Sequence, residues 1–201
     1  VTAGDLNGGQ MMQSVHNFEQ QGDYTFNEAE HRAPVMGWAK EQFGEAVAPN
    51  GKPVWQNFTK WFGDSKAVDA DGKPIVVYHG TGDSFDAFDK ASFNRNESSG
   101  DYIGQGFFFH KNAEKALGYA VEYGKGKSPN VMPVYLSLHN PLVINSKTDA
   151  AKLYDLFGGV EDFFGLKKDN PQAIKDKLQT LGYDGLIDNL YGQYAAFEPT
   201  Q

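Results

Sequence analysis

Residues 71–81 read Asp-Gly-Lys-Pro-Ile-Val-Val-Tyr-His-Gly-Thr and carry the clearest fold signal in the chain. Asp71-Gly72 is typical of a tight hairpin turn, and it lies between two short apolar runs. The second run, Ile75–Tyr78, is continuously apolar, which is typical of a buried strand. The sequence therefore predicts that His79-Gly80-Thr81 follows directly at the end of a buried strand.

Helix and strand signals alternate irregularly around this strand. Pro53–Phe62 predicts an amphipathic helix that ends at Gly63, and Asn112–Tyr123 predicts a helix capped by Asn112. Further helices are predicted near 150–157 and 171–181, a turn into a strand at 104–109, and further strands at 131–138, 141–144, 185–188 and 193–197. Because strands do not alternate regularly with long helices, we expect an α+β fold with mixed or antiparallel sheets.

The length of 201 residues suits one domain with an appendage. Residues 1–52 are poorly patterned, and we expect an N-terminal helical or irregular extension there. The main domain is expected at residues 53–201. Because Val1 is not an initiator methionine, we expect the chain to be a piece of a longer protein.

Composition and charge exclude several classes of site. The net charge of -8 argues against a broad cationic surface for nucleic-acid binding. The absence of cysteine excludes disulfides and thiolate zinc sites. No apolar run approaches the ~20 residues of a membrane span, so we expect no membrane partner. No metal is expected either, and His16 and His31 in particular lack a partner at helical ligand spacing. We expect His110 and His139 to lie at strand ends without partners, and 94–100 to form a polar loop over a pocket.

Four short motifs or single residues follow one another along the chain: Tyr78–Thr81, Gly104-Gln-Gly-Phe-Phe-Phe109, Tyr119, and Leu190-Tyr-Gly-Gln-Tyr-Ala-Ala-Phe197. Each alone is typical of an ordinary strand end, turn or packed helix. Together, with Tyr119 eleven positions after Phe108, they resemble the His-Tyr-Glu class of ADP-ribosyltransferases, which includes the diphtheria-like toxins and the poly(ADP-ribose) polymerases. They also resemble the module embedded in bacterial, phage and prophage polyvalent proteins. The resemblance covers about residues 58–201 and includes the lead-in Trp61–Lys66.

The resemblance implies a split pair of small mixed or antiparallel sheets around a central NAD cleft, with N-terminal helices. It implies that His79 holds the adenosine-side ribose, with one ring nitrogen fixed by local backbone. Gly80 would let its backbone approach the nicotinamide carboxamide, and Tyr119 would stack on the nicotinamide ring. The other implied NAD contacts are Thr81, Gly106, Phe107 and Phe108, the last in place of the family's ribose-side tyrosine.

Gln193 stands at the position of the family's catalytic glutamate and completes an implied catalytic set with His79 and Tyr119. A carboxylate there would stabilise the oxocarbenium-like ribose that forms as nicotinamide leaves. Glutamine keeps the shape and one acceptor oxygen but loses the charge and the capacity to act as a base.

Three explanations of Gln193 stay open. The residue is an introduced Glu→Gln change, which we favour, or a natural loss of activity, or a nearby carboxylate substitutes for the glutamate. The carboxylates considered are Glu198, Asp184 and Asp188. Glu198 lies an odd number of residues from Gln193, so a regular strand would turn it to the opposite face.

The function implied by the resemblance is transfer of ADP-ribose from the substrate NAD to a macromolecular acceptor, with release of nicotinamide. We expect a mono-ADP-ribosylating bacterial or phage toxin or effector that acts in the cytoplasm of a bacterium or host. The acidic charge favours a protein acceptor, with RNA and DNA left open, and a cognate antitoxin or inhibitor is an expected partner. Two alternatives remain: a module that binds NAD or ADP-ribose without turnover, and an NAD glycohydrolase toxin.

Overall fold

The computed structural model describes residues 33–83, 85–92, 103–123 and 129–201. These ranges form six α-helices and six β-strands, an α+β arrangement with one mixed sheet. The helices are α1 (Ala33–Phe43), α2 (Val54–Phe62), α3 (Ala113–Tyr123), α4 (Lys147–Asp155), α5 (Val160–Asp169) and α6 (Pro171–Thr180). The strands are β1 (Val77–Thr81), β2 (Phe107–His110), β3 (Asn130–Val134), β4 (Leu142–Ile144), β5 (Gly185–Asp188) and β6 (Gln193–Ala196).

The strands lie in the order β3-β1-β2-β6-β5-β4, and all neighbours are antiparallel except β4 and β5. Five residue pairs join β1 to β3, and four join β2 to β6. By contrast, β1 and β2 are joined at the single pair Tyr78–His110. The two separate sheets that we expected are therefore not confirmed, because this pair links all described strands into one sheet. Beyond Tyr78 no further residue pair joins β1 to β2, so the ladder between residues 79–81 and 107–109 is open.

Helix α2 forms where the sequence predicts an amphipathic helix. The stripe of α2 is buried against α1 in a core that includes Phe58 and Phe62. Gly63 ends α2 in a left-handed conformation (φ 52°), and its N–H donates to the Thr59 carbonyl. The predicted boundary at residue 52 stays a prediction: α1 precedes it and shares a core with α2, and residues 1–32 lie outside the described ranges.

The two faces of the sheet carry different cores, because side chains alternate along each strand. One face carries a core that includes Val77, Phe107, Phe109, Ile187 and Tyr194. On the other face, α4, α5 and α6 cover β4–β6, in a core with Leu186, Ala195 and Phe163. Helix α3 covers β1 on this second face, as its contact with Gly80 shows.

Several predicted boundaries differ from the observed ones. The strand predicted at 131–138 ends at Val134, because the backbone beyond it finds other partners. Ser65 Oγ donates to the Leu136 carbonyl and accepts from the Leu138 N–H, at 2.7 and 3.0 Å. Helix α5 was not predicted, although its Phe163 is fully buried. The polar loop predicted at 94–100 lies outside the described residues.

Candidate active site

His79 lies on β1 at the opening between β1 and β2. Its Nδ1 is 2.8 Å from the Phe108 carbonyl oxygen, so the ring bridges the two strands where their ladder has stopped. The ring packs against Phe85, Phe88 and Phe109, with centroid separations of 5.1 to 6.0 Å. Burial lowers the pKa of His79, and the hydrogen bond to Phe108 opposes that shift without overcoming it.

The lowered pKa of His79 predicts a pH-dependent stability. The unfolded histidine titrates near its ordinary value of roughly 6.5. Since the folded pKa is lower, the unfolded state binds more protons as the pH falls through that value, and the free energy of unfolding decreases. The contribution is therefore fully present above the unfolded pKa and is lost below it.

We expect urea unfolding at about pH 5.5 to need less denaturant than at about pH 7.5, and His79→Phe to reduce that difference. His110, whose pKa is also lowered chiefly by burial, accounts for part of the remainder. An unchanged pH dependence in His79→Phe would contradict a buried neutral imidazole at this position.

Gly80 is fixed by its contact with α3. A Cβ built on Gly80 would lie 1.8 Å from the Ala116 carbonyl oxygen and 3.2 Å from the Ala120 nitrogen. Real Cβ atoms do not approach the backbone so closely, so a side chain at Gly80 would force α3 away from β1. The glycine therefore allows α3 to lie directly against β1, and this close packing sets the position of every side chain on that helix.

Tyr119 and Gln193 meet across the second face of the sheet. Gln193 Nε2 donates a hydrogen bond to the Tyr119 hydroxyl at 3.3 Å, between residues 74 positions apart. Tyr119 is 41% exposed, and its ring stacks on Tyr123 with a centroid separation of 6.0 Å. The structure thus brings together two of the three residues in the implied catalytic set.

His79 reaches the same region from the other side of the sheet. Tyr78, His110 and Gln193 are direct partners across β1, β2 and β6, so they share one face. Side-chain alternation then places His79 on the opposite face, next to the opening. A ligand that touched both His79 and Gln193 would have to pass through or around that opening.

The remaining predicted contacts take different positions. Thr81 is buried, and its hydroxyl accepts from the Asp83 N–H at 3.1 Å. Gly106 lies directly before β2, close to Ala196 of β6. Phe107 is buried in the core of the first face, and Phe108 packs partly into the core of the second face.

The three carboxylates considered as substitutes for a glutamate differ in their hydrogen-bond partners and burial. Glu198 pairs with Lys90 and accepts from Gln179, and Asp184 Oδ2 accepts from the backbone of His139 and Asn140. Asp188 is the ladder partner of Gln193 on β5, but its side chain is 0% exposed. Its Oδ1 accepts from Leu190 and Tyr191 N–H groups, whereas Oδ2 has no hydrogen-bond partner among the described residues.

The expectation that His110 and His139 lack partners is wrong. His110 Nδ1 accepts from the Asn112 N–H at 2.8 Å, and His139 Nε2 is 2.9 Å from Ser137 Oγ. Both contacts join a ring to a residue two positions away, so the chain's own turn geometry creates them. Spacing alone did not reveal them, because the turn had to be known first.

The described ranges contain neither a metal-binding cluster nor a helix that could span a membrane. No group of three or more His, Cys, Asp or Glu side chains is arranged there to hold a metal ion. None of the helices in those ranges combines the length and apolar character that a bilayer span requires.

The chain matches a known protein family. The model of the family described as ADP-ribosyltransferase in polyvalent proteins matches residues 69–201. The match includes β1 and every strand after it, together with His79, Gly80, Tyr119 and Gln193. Neither the curated proteins nor the solved structures gave a significant match.

Proposed function

Because the chain belongs to the family of ADP-ribosyltransferases in polyvalent proteins, we propose that it binds NAD at the opening between β1 and β2. In this proposal it transfers ADP-ribose to a macromolecular acceptor and releases nicotinamide. The specific class is the His-Tyr-Glu class, with Gln193 at the glutamate position. NAD is a substrate, and no metal takes part in the proposed reaction.

The contact between Tyr119 and Gln193 carries the proposal. An exposed aromatic ring on α3 and a polar side chain on β6 lie within hydrogen-bonding distance, although they are far apart in the chain. A flat cationic ring such as nicotinamide is attracted to an aromatic face. The group beside that ring is then well placed to act on the ribose carbon that loses nicotinamide.

His79 and Gly80 supply the rest of the proposed NAD site. Because Nδ1 of His79 is occupied by the Phe108 carbonyl, Nε2 is the ring nitrogen left to bond a ribose hydroxyl. Gly80 keeps α3 close to β1, and the backbone there can bond the nicotinamide carboxamide. Ala116 offers no hydroxyl to that carboxamide, so the backbone carries this interaction alone.

Gln193 favours a second candidate, a module that binds NAD or ADP-ribose without turnover. Leaving-group departure builds positive charge on the ribose, and an amide stabilises that charge less well than a carboxylate does. The fully buried Asp188 beside it cannot touch a bound substrate. We therefore propose that this chain turns NAD over slowly.

The wider role follows from the family and the charge. We propose a mono-ADP-ribosylating toxin or effector of bacterial or phage origin that acts in the cytoplasm and is held in check by an antitoxin or inhibitor. The net charge of -8 supports a protein acceptor over RNA or DNA, since a broad cationic surface is missing from the composition.

The test follows labelled NAD in a bacterial lysate that contains the Gln193→Glu variant. Label on protein supports the proposed transferase, and label in the RNA or DNA fraction changes the acceptor class. Free ADP-ribose without labelled acceptor identifies a glycohydrolase. Tight NAD binding without any release of nicotinamide identifies the binding module and overturns the enzyme.

Tyr119 offers a separate test of the binding site. Tyr119→Ala removes the stacking face and should weaken NAD binding about 10-fold, whereas Tyr119→Phe keeps the ring and should stay within about threefold. Titration calorimetry measures both affinities, with Leu117→Ala as an exposed control on the same helix. Equal NAD affinities for Tyr119→Ala and Leu117→Ala would contradict stacking of nicotinamide on Tyr119.

A further inference from the structure

His110 occupies the centre of a row of paired residues that crosses four strands. The row runs from Tyr78 on β1 through His110 and Gln193 to Asp188 on β5. Directly paired residues lie about 4.5–5.5 Å apart at their Cα atoms and point to the same face. His110 is therefore the immediate neighbour of Gln193 on the face that Tyr119 also reaches.

The His110 ring contacts the start of α3. Its Nδ1 accepts the Asn112 N–H at 2.8 Å, and Asn112 Oδ1 in turn accepts the Lys115 N–H at 3.0 Å as the cap of the helix. A nitrogen that accepts a hydrogen bond carries no proton, so the neutral ring holds its proton on Nε2. The first turn of the helix that carries Tyr119 is thus anchored to His110.

The same ring lies against the loop at 189–192, which leads directly into Gln193. Burial lowers the pKa of His110, and the nearby Tyr191 backbone opposes that shift. The next residue, Lys111, donates its N–H to the Gly192 carbonyl at 2.9 Å. On the far side, Asp188 Oδ1 accepts from Leu190 and Tyr191 at 2.8 and 3.2 Å. The loop is held from both neighbouring strands.

We propose that His110 is a positioning residue that joins the N-terminus of α3 to the 189–192 loop and so sets the distance between Tyr119 and Gln193. The inference rests on the proposed function for its effect on turnover. Its structural part, the geometry of Gln193, stands without any activity.

The test compares His110→Phe with His110→Asn by NMR of the Gln193 side-chain amide. Loss of a resonance pair in Gln193→Ala assigns that amide. Phenylalanine fills the space but cannot accept the Asn112 N–H, whereas asparagine keeps an acceptor near the Nδ1 position. We expect the Gln193 signals to shift in His110→Phe and to return part of the way in His110→Asn. Ile174→Val, a core change in α6, is the matched control and should leave them in place.

Turnover provides the second measurement, with each change combined with Gln193→Glu. His110→Phe should lower kcat for nicotinamide release about 10- to 100-fold with little change in NAD affinity, since a small misplacement near the reacting atoms is costly. Equal losses of binding and turnover, as a merely structural role would give, overturn the proposal. The proposal is also overturned if the Gln193 amide signals stay unchanged in both His110 variants.

Failure of the proposed function can be distinguished from failure of the role proposed for His110. If Gln193→Glu alone releases no nicotinamide, the proposed function fails, and the amide signals still decide the role of His110. If His110→Phe does not fold, His110→Asn decides alone: an unmoved Gln193 amide overturns the proposal, and a shifted one supports it.

Discussion

Replacing Gln193 by glutamate should raise the rate of nicotinamide release from NAD about 10²–10³-fold. The two side chains have nearly the same shape, so the change keeps the geometry at the end of β6. It introduces a charge beside Tyr119, where the amide now donates a hydrogen bond at 3.3 Å. A carboxylate would accept from the tyrosine hydroxyl instead, and it would stabilise positive charge on the ribose as nicotinamide departs.

Chromatographic measurement of free nicotinamide tests this expectation, with NAD affinity measured in parallel. We expect the affinity to change less than about threefold, because the gain belongs to the transition state and not to the bound substrate. A rate that rises less than about threefold would contradict the assignment of position 193 and would favour the binding module.

Asp188→Asn is the matched control for a substitute carboxylate. Asparagine keeps an oxygen that accepts from the Leu190 and Tyr191 N–H groups, so the loop survives while the charge is lost. If the residual activity of the Gln193 chain does not change, Asp188 supplies no charge to the reaction. A loss of that residual activity would show that the buried carboxylate acts on the ribose through its neighbour.

Gly80→Ala should destabilise the protein by about 3 kcal/mol and abolish NAD binding with it. The new methyl group would lie 1.8 Å from the Ala116 carbonyl oxygen and 2.7 Å from its carbon, so backbone and not a flexible side chain must move. Helix α3 would shift away from β1, and Tyr119 would leave its place beside Gln193.

Urea unfolding measures the loss, and Gly118→Ala provides a control on the same helix. A Cβ at Gly118 would meet nothing within 4 Å, so alanine there should stabilise the helix by about 0.5–1 kcal/mol. Opposite signs for the two Gly→Ala changes are expected. A neutral Gly80→Ala would mean that α3 and β1 are not in such close contact.

Local signals explain which parts of the fold could be predicted. The apolar stripe of α2, its end at Gly63 and the Asn112 cap of α3 depend on residues within one or two turns. The predicted strand at 131–138 was too long because its second half bonds Ser65, which lies in a distant part of the sequence. Helix α5 was missed because adjacent Phe163 and Phe164 disturb a simple helical stripe, and Phe164 remains half exposed.

The same distinction between local signals and long-range contacts applies to the candidate site. His79, Gly80, Tyr119 and Gln193 could be selected because their order along the chain resembles a known family. The role of Gly80 as a helix contact depends on tertiary packing, and the position of His79 on the face opposite to Gln193 depends on strand register. Register joins residues far apart in the chain, and no short stretch of sequence encodes it.

The central place of β6 has a consequence for folding. Among the described strands β6 follows the other five in the chain, yet it lies between β2 and β5 and joins the two halves of the sheet. Without β6, β1–β3 and β4–β5 would be fragments that share no common strand. Pairings between residues far apart in the chain form slowly. The contact between Tyr119 and Gln193 therefore waits for the slowest pairings of the sheet.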